Sequence, residues 1–514
     1  MNARLKKILF IALAGALLFA SGRVQNSLNQ IRKEQAFTIA EPLQNAPPLL
    51  AFTTVALGGF RGLISNYLWI RANNLQQDDK FFEAAQLANW ITDLEPRFSQ
   101  VWIFQAWNMA FNISVKFKDF GDRWHWVQNG ISLLRDKALV YNPDNVQIHQ
   151  QLSWFFQMKM GDYLDDANKY YKQQWAQDMT PFFGPQGTNF TELLQPNSTN
   201  AAILREQYKI DPAFAEKVNE QWGPLDWRLP EAHAIYWACQ GLDDARKHPE
   251  KVKETDLIQL RRSIYQSLLQ AFRHGRIISN PFTGAIELAP NLDLMDKVEK
   301  AYTQNYAEET DPNQKNGILI AERNFLRTAI EYLYMDDRMA EAQKWFKYLG
   351  DNFPDKPILD YDPKSLPKTL TLDDYIFRDV TEDANGTSLD DTASNIEGLL
   401  LKSYMNLALG QDDRYVALQS LAQKIYDRYQ GKMGNGQPRV SLPPMRDIRH
   451  LVLGDILDPN PPDRPPVPYA YRAVMRTYLK MGPETNSAAP FQISTNEVVP
   501  AVTVTNTATN AVSQ

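Results

Sequence analysis

Hydrophobic and polar positions recur along most of this chain with the spacing of amphipathic helices. The stretch 68–96 is the clearest case. Ala72 and Ala84 fall on the apolar faces of two successive helical segments, a polar break occupies 77–80, and Pro96 ends the second segment. Apolar residues three and four positions apart share one face of an α-helix, and a proline stops a helix because it lacks an N–H donor and clashes with the preceding turn. The stretch therefore predicts a helical hairpin.

Similar pairs of helical segments follow this hairpin. Trp102 and Ala106 share a face of the next first helix, and that unit closes at Pro143. A late unit repeats the spacing between the small residue and the proline with Ala342 and Pro354. Because one hairpin alone leaves an apolar face exposed, stacking of adjacent hairpins is what covers it. Further helical segments are predicted at 152–171, 223–242, 255–272 and 396–429.

Segments rich in proline, glycine, asparagine and threonine separate the helical blocks, and such residues favour turns and connections. The proline run at 459–468 favours an extended polyproline conformation, and the tail has too few apolar residues to form a core. The predicted organisation is a signal peptide or transmembrane anchor (1–22), a juxtamembrane apolar segment (23–67), helical repeats (68–180), a connecting loop (181–222), further helical repeats (223–354), an Asp/Pro-rich loop (355–394), a C-terminal helical region with a Pro-rich strap (395–482) and a disordered tail (483–514).

The hairpin at 68–96 resembles the tetratricopeptide repeat (TPR), in which each helix carries a small residue and a proline ends the unit. Ala72, Ala84 and Pro96 match that pattern. The resemblance, to TPR-like proteins of the bacterial, membrane-anchored type, implies an all-α fold, namely an α-solenoid of degenerate hairpins with insertions. It also implies a concave groove in which first-helix residues bind protein segments. Carried over by position, the groove residues are Arg71, Asn74, Gln105, Asn108, Ser153 and Gln157.

The N-terminal residues 1–22 have the three parts of an export signal. Basic residues precede an uncharged apolar run at 8–20, and small residues follow it. A positively charged flank stays in the cytoplasm while the chain after it is translocated. The sequence predicts a body in the periplasm or another extracytoplasmic space, held at the cell membrane by a single N-terminal helix. Cleavage of this helix after the small residues is the open alternative.

A second apolar segment runs from 49 to 70 and is about as long as a membrane span. Arg61 lies near its middle, and a central arginine costs about 2.5 to 3.5 kcal/mol on insertion. The favoured prediction is a helix that lies on the membrane surface or inside the first repeat. The alternative is a second span, which would return the body to the cytoplasm.

Composition excludes several classes of function. A net charge of −6 without a long basic run gives no surface for nucleic acid, and the single cysteine, Cys239, rules out an intramolecular disulfide. None of the six histidines sits in a known metal-binding spacing, and the phosphate-binding and activated-serine motifs are missing from the sequence. We therefore predict no cofactor, no metal and no nucleic-acid partner.

The most suggestive chemical cluster is 226–233, where Asp226 and Glu231 stand among aromatic and basic residues. Glycoside cleavage uses paired carboxyl groups, one as acid and one as base or nucleophile. The favoured explanation is structural, because Pro230 can open a helix whose N-terminal end attracts both negative charges. We predict a non-enzymatic, membrane-anchored, extracytoplasmic scaffold that mediates protein–protein interactions with components of the cell envelope. The alternative is an exported helical-toroid enzyme that acts on glycans.

Overall fold

The computed structural model describes most of the chain between Phe60 and Gly482, and these residues are helical almost throughout. The sheet formed by the described residues consists of two short strands, so the all-α prediction is confirmed at the level of fold class. The described residues are 60–162, 164–279, 286–359, 362–381, 389–433, 442–461 and 466–482, with Ala20, Arg23, Val24 and Ser27. Two compact units divide the chain: unit 1 is Met1–Lys116 with Trp126–Pro143, and unit 2 is Phe117–His125 with Asp144–Gln514.

Unit 1 contains a helical hairpin followed by helices that continue into π-helical turns. Its elements are α1 (Phe60–Gln77), α2 (Phe81–Leu94), α3 (Ser99–Trp107) with its π-helical continuation Asn108–Ile113, a 3-10 turn (Ser114–Lys116), and the C-terminal part of α4 (Phe120–Ser132) with its π-helical continuation Leu133–Ala138 and a last turn at Leu139–Tyr141. Each π-helical continuation follows its α-helix without a break.

The α1–α2 hairpin confirms the helices that the sequence predicts at 68–96. Ala72 and Ala84 are completely buried, as small residues are where two helices approach closely. The chain turns after α2 at Pro96, whose carbonyl accepts hydrogen bonds from Trp102 Nε1 at 2.8 Å and from Asn142 Nδ2 at 2.9 Å. Side chains from two later helical segments of unit 1 therefore hold this turn in place.

Several predicted segments lie largely or wholly outside the described residues. These are the N-terminal anchor (1–22), most of the juxtamembrane segment (23–67), the tail (483–514) and residues 462–465 of the Pro-rich strap. Within the part of the chain that is described, no helix combines the length and the apolar composition that a bilayer crossing requires.

Unit 2 holds the remaining helices. They are α5 (Val146–Trp154) with its π-helical continuation Phe155–Gly161, α6 (Asn168–Phe183), α7 (Thr199–Ile203) with its π-helical continuation Leu204–Tyr208, α8 (Pro212–Trp222), α9 (Pro230–Lys247), α10 (Glu254–His274), α11 (Met295–Glu308), α12 (Pro312–Met335), α13 (Met339–Asn352), α14 (Leu372–Thr381), α15 (Leu389–Ala408), α16 (Asp412–Met433), α17 (Met445–Leu457) and α18 (Tyr469–Tyr478). Chain-adjacent pairs such as α9–α10, α12–α13 and α15–α16 contact each other extensively. Between α10 and α11, β1 (Arg276–Ser279) and β2 (Ile286–Ala289) pair antiparallel.

The segment 181–222, predicted as a connecting loop, contains α7 and α8. The start of α8 carries two strong local signals, because Asp211 accepts a hydrogen bond from the Phe214 N–H at 2.9 Å and Pro212 occupies the first helical position. An aspartate cap followed by proline is a favoured way to begin a helix. Helical periodicity does resume at about Asp211 in the sequence, but the Pro- and Gly-rich residues before α7 led to a loop assignment for 181–222 as a whole.

Two further elements differ from the predicted organisation. The stretch 355–394, predicted as a loop, contains α14, which begins where Thr371 Oγ1 accepts a hydrogen bond from the Asp374 N–H at 3.1 Å and donates one to the Asp374 carboxylate at 2.8 Å. A threonine hydroxyl that accepts from the backbone N–H three residues later is the arrangement of a helix N-cap. The β1–β2 ribbon lies within 223–354, which was predicted to consist of helical repeats.

Helix α9 packs against α5, α8 and α10 in unit 2. Pro230 stands at its first position, as predicted. Gly241 lies where the helices approach most closely, since a Cβ atom there would stand 2.9 Å from Leu260 Cδ2 and 3.1 Å from His149 Cβ. A glycine therefore allows α5 and α10 to contact α9 at this level.

Glu322 of α12 should make the stability of the protein depend on pH. Its burial, and then the charge of Glu299, raise its pKa to about 7. An acid whose pKa rises on folding stabilises the folded state fully below its unfolded pKa of about 4.3, and this contribution is lost as the pH rises through the folded value. We expect Glu322→Gln to raise the free energy of unfolding at pH 8 by about 1 to 2 kcal/mol, after allowance for solvent screening, and to leave it unchanged at pH 4.

Urea denaturation at pH 4 and pH 8, followed by circular dichroism, measures this difference. Glu220→Gln is the control, because Glu220 is an exposed carboxylate on α8 and its replacement should have little effect at either pH. The same gain for Glu322→Gln at both pH values would contradict the prediction.

Candidate functional site

A cleft of about 620 Å³ opens on unit 2 between α8, α9, α10 and α11; we refer to it as the α8–α11 cleft. Trp222 and Tyr265 are among its apolar lining residues, and Lys217, Arg246 and Glu308 are among its charged ones. A volume of about 300 to 1,000 Å³ with apolar walls and a few polar groups is typical of a ligand site. The cleft is therefore the candidate binding site.

The α8 wall of the cleft is fixed at its C-terminal end. The last carbonyl groups of an α-helix have no partner within the helix. Here the Lys297 ammonium of α11 donates hydrogen bonds to the Glu220 and Gln221 carbonyl oxygens at 2.7 and 2.9 Å. A cation at this end is also favourable for the helix dipole. Lys297 therefore ties α8 to α11 across one end of the cleft.

An ion pair joins the α10 and α11 walls. The Arg261 guanidinium lies 3.0 Å from a carboxylate oxygen of Glu308, and the Tyr265 hydroxyl lies 3.4 Å from the same oxygen. Burial, and then the Glu308 charge, raise the pKa of Tyr265, so this hydroxyl stays protonated at neutral pH. The negative charge of Glu308 is neutralised within the wall and is not free to attract a ligand.

The rim of the cleft carries more positive than negative charge. The Arg246 side chain is exposed and lies 3.8 Å from its nearest carboxylate, Asp243, which Lys247 approaches more closely at 3.0 Å. Lys217 is also exposed and makes no ion pair with a carboxylate of the described residues. The rim therefore offers the Lys217 and Arg246 side chains to a negatively charged group.

The one cysteine of the chain lies in the wall of this cleft. Burial raises the pKa of Cys239 to about 12, so its side chain is a thiol at neutral pH. The thiolate is the reactive form of cysteine, and Cys239 is therefore an apolar part of the wall, in line with the inert packing that its apolar helical context suggests.

The sequence cluster at 226–233 lies elsewhere in unit 2. Both carboxylate oxygens of Asp226 accept hydrogen bonds from the neighbouring Arg228, at 2.8 and 2.6 Å. Arg228 also donates to the Pro185 carbonyl. Gly187 packs directly against this pair, because a Cβ atom there would lie 1.9 Å from Asp226 Oδ1. Asp226 and Arg228 thus clamp the loop that precedes α9.

Glu231 occupies the first turn of α9, and its side chain is enclosed, with 1% of the residue surface exposed. Neither carboxylate oxygen receives a hydrogen bond of good geometry from the described residues. Burial raises the pKa of Glu231, although the nearby Lys172 charge opposes the shift. Lys172 itself donates a hydrogen bond to the Gly161 carbonyl at 2.8 Å. In this conformation no substrate can reach the Glu231 carboxyl group.

His233, also part of this cluster, is neutral and structural. Burial lowers its pKa to about 4, and its Nε2 lies 2.8 Å from the Trp227 carbonyl oxygen. Because that oxygen can only accept, the neutral ring carries its proton on Nε2. The ring packs between Phe156 and Trp175 at centroid distances of 5.4 and 5.0 Å.

The six residues carried over from the TPR pattern fall into two groups. Arg71 and Asn74 are exposed on α1, where they stay available to a partner. The other four are buried and have partners within their own unit. Gln105 donates to Asn89 Oδ1, Asn108 to the Phe81 carbonyl, Ser153 to the Ala234 carbonyl and Gln157 to Gln266 Oε1. In this conformation these four side chains do not line a groove.

The cleft residues were not identified from the sequence. They come from four consecutive helices, and although they recur at helical spacing within each helix, no pattern in the sequence shows that the four faces meet. The only local signal was the amphipathic character of α8, which begins with Asp211 and Pro212.

No protein-family model, no curated protein and no solved structure matches this chain. Among the described residues, no group of three or more histidine, cysteine, aspartate or glutamate side chains could hold a metal ion.

Proposed function

We propose that this protein is a non-enzymatic scaffold, anchored at the membrane on its extracytoplasmic side, that binds segments of other proteins of the cell envelope. The observation that carries the proposal is the α8–α11 cleft, which is large enough for several side chains of a bound segment. The resemblance of the hairpin at 68–96 to the TPR implies the same class of function. The export signal predicted at 1–22 supplies the attachment and the compartment.

The chemistry of the cleft indicates what kind of segment fits. Trp222 and Tyr265 line the cleft with 3% and 9% of their surfaces exposed, and these exposed parts can contact an apolar side chain of the segment. Lys217 and Arg246 add positive charge at the rim, while Glu308 is already paired with Arg261. A segment with an apolar anchor and one or more acidic residues is complementary to this arrangement.

Site-specific photo-crosslinking in cells tests the proposal. A photoreactive amino acid at Gln221, an exposed residue of the cleft, should form adducts with a defined protein. The same amino acid at Gln173, exposed on α6 and outside the cleft lining, is the matched control. Charge reversal of Lys217 and Arg246 to glutamate should reduce the Gln221 adduct by about fivefold or more, because like charges then face the segment.

Equal adducts from both positions, or adducts that charge reversal leaves unchanged, would argue against the cleft as the binding site. Circular dichroism of the charge-reversal variant checks that its helices are intact. Both substituted residues are exposed, so the fold should tolerate the change.

A glycan-cleaving enzyme is the second candidate, and one observation favours it. The raised pKa of Glu231 is the property that a general acid requires. The carboxyl group is enclosed, however, and Asp226 is held by Arg228. Under the enzyme hypothesis, the purified protein releases reducing ends from envelope glycans and Glu231→Gln abolishes this release. Under the scaffold hypothesis neither form releases any.

A further inference from the structure

Helix α1 carries an apolar surface that unit 1 does not use. Leu63, Tyr67 and Ile70 are 67%, 62% and 55% exposed, and Ile64 beside them is 40% exposed. Residues three and four positions apart share one face of a helix, so these side chains form a continuous strip, which we call the α1 stripe. Single exposed apolar residues are common on protein surfaces, whereas an aligned set of this kind marks an interaction surface.

The opposite face of α1 already supplies the contacts that unit 1 needs. Ala72 is completely buried, and Leu68 and Trp69 pack on the core formed by Ala88, Ile91 and Val101. The stripe is therefore a second apolar face, separate from the one that holds α1 against α2. A surface that covered the stripe would therefore leave the contacts between α1 and the core of unit 1 unchanged.

The residues around the stripe indicate what covers it. The chain that leads directly into α1, residues 49–59, is LLAFTTVALGG and has no charged residue. Toward the C-terminal end of α1 the exposed residues become polar, with Arg71 and Asn74 in place of apolar side chains. Along the chain, the uncharged lead is followed by Arg61, then by the apolar strip with its tyrosine, and then by Arg71. An apolar helix face flanked by arginines is typical of a helix that lies in the lipid interface.

We propose that the α1 stripe lies in the interfacial layer of a lipid bilayer, with Leu63, Tyr67 and Ile70 directed into the lipid and Arg71 at headgroup level. The stripe is a membrane contact in addition to the predicted anchor at 1–22, and it orients unit 1 on the membrane surface. This inference rests on the membrane attachment in the proposed function. It is independent of the α8–α11 cleft.

Depth-dependent fluorescence quenching tests the proposal with the full chain on vesicles of phosphatidylcholine and phosphatidylglycerol. In a Cys239→Ala background, single cysteines at Leu63, Tyr67 or Ile70 are labelled with an environment-sensitive dye. Cysteines at Asn74 and at Gln86, which is exposed on α2, are the matched controls. Lipids with a spin-labelled acyl chain should quench the three stripe labels at least about twofold more than the controls, and aqueous iodide should show the reverse order.

Iodide quenching of the stripe labels equal to that at Asn74 would place the stripe in water and overturn the inference. Shielding of the stripe labels from both quenchers would also overturn it, because a protein surface would then cover the stripe. Flotation of the same samples with vesicles measures membrane attachment separately. A protein that floats while its stripe labels stay in water refutes the stripe and leaves the anchor intact, whereas a protein that does not float refutes both.

Discussion

Replacing Asp165 by alanine is expected to lower the free energy of unfolding by about 3 to 5 kcal/mol. The Asp165 carboxylate accepts hydrogen bonds from Arg123 Nη2 at 2.6 Å and from the Ala167 N–H at 2.9 Å, and lies 2.5 Å from the Lys159 ammonium. All three charged side chains are buried. Removing the carboxylate takes the Asp165 charge away from two buried cations, of which Arg123 keeps its ion pair with Asp166. Breaking a buried ion pair by removing one partner is among the most costly single defects.

The pKa of Asp165 indicates that this cluster is also sensitive to acid. Burial alone would raise the pKa, but the Lys159 hydrogen bond, the Ala167 N–H and the two cations outweigh it and hold the pKa below its usual value. The stabilisation is therefore complete above the unfolded pKa of about 3.9 and is lost as the pH falls through the folded value. Asp165→Ala should consequently destabilise the protein less in strong acid than at pH 7.

Asp166→Ala is the matched control, because Asp166 contacts the same Arg123 at 2.7 Å but its side chain is 74% exposed. An exposed ion pair contributes about 0 to 1 kcal/mol, so this variant should stay close to the wild type. Urea denaturation at pH 7, followed by circular dichroism, compares the two. If both variants lost a similar amount of free energy of unfolding, burial would not determine how much each ion pair stabilises the protein, and the prediction would be wrong.

Trp227→Ala should lower the free energy of unfolding by a similar amount, about 3 to 5 kcal/mol. Trp227 is completely buried, and its ring packs against Phe183 at 5.4 Å and Phe190 at 5.6 Å between centroids. Its indole N–H also donates to Asn219 Oδ1 at 3.2 Å. Alanine would leave a large cavity, which neighbouring aromatic rings can fill only in part. It would also remove one of two donors to Asn219 Oδ1, which keeps the hydrogen bond from the Leu225 N–H at 2.9 Å.

Two variants make the Trp227 prediction specific. Trp90→Ala removes the same side chain from α2, where it is 50% exposed, and should cost less than about 1 kcal/mol. Trp227→Phe keeps an aromatic ring but loses the indole donor, and should fall between the wild type and Trp227→Ala. Thermal unfolding measures these differences. A melting temperature of Trp227→Ala equal to that of the wild type would contradict the prediction.

The parts of the fold that could be predicted are those with local causes. The α1–α2 hairpin follows from small residues, a polar break and Pro96 within one stretch of chain, and the start of α9 follows from Pro230 alone. The start of α8 was encoded just as locally by Asp211 and Pro212, but the Pro- and Gly-rich residues before α7 led to a loop assignment for the whole segment.

The candidate site depends on contacts between distant residues, which the sequence does not display. Arg261 and Glu308 meet in the cleft wall only because α10 and α11 pack together. The same limit applies to Gln105 and Asn108. Their positions in the TPR pattern implied that they face a groove, but each forms a hydrogen bond inside unit 1. A polar side chain can be buried where the fold supplies a partner, and only the structure identifies that partner.

The π-helical continuations of α3, α4, α5 and α7 affect how this chain should be aligned with any repeat template. A π-helical turn holds one residue more than an α-helical turn, and one extra residue rotates every following position by about 100° around the helix axis. Asn108 and Gln157 lie within such turns. The wide turns therefore rotate the residues that follow them relative to an ideal α-helix, and an alignment that allows one gap at each wide turn would assign these later residues to different faces.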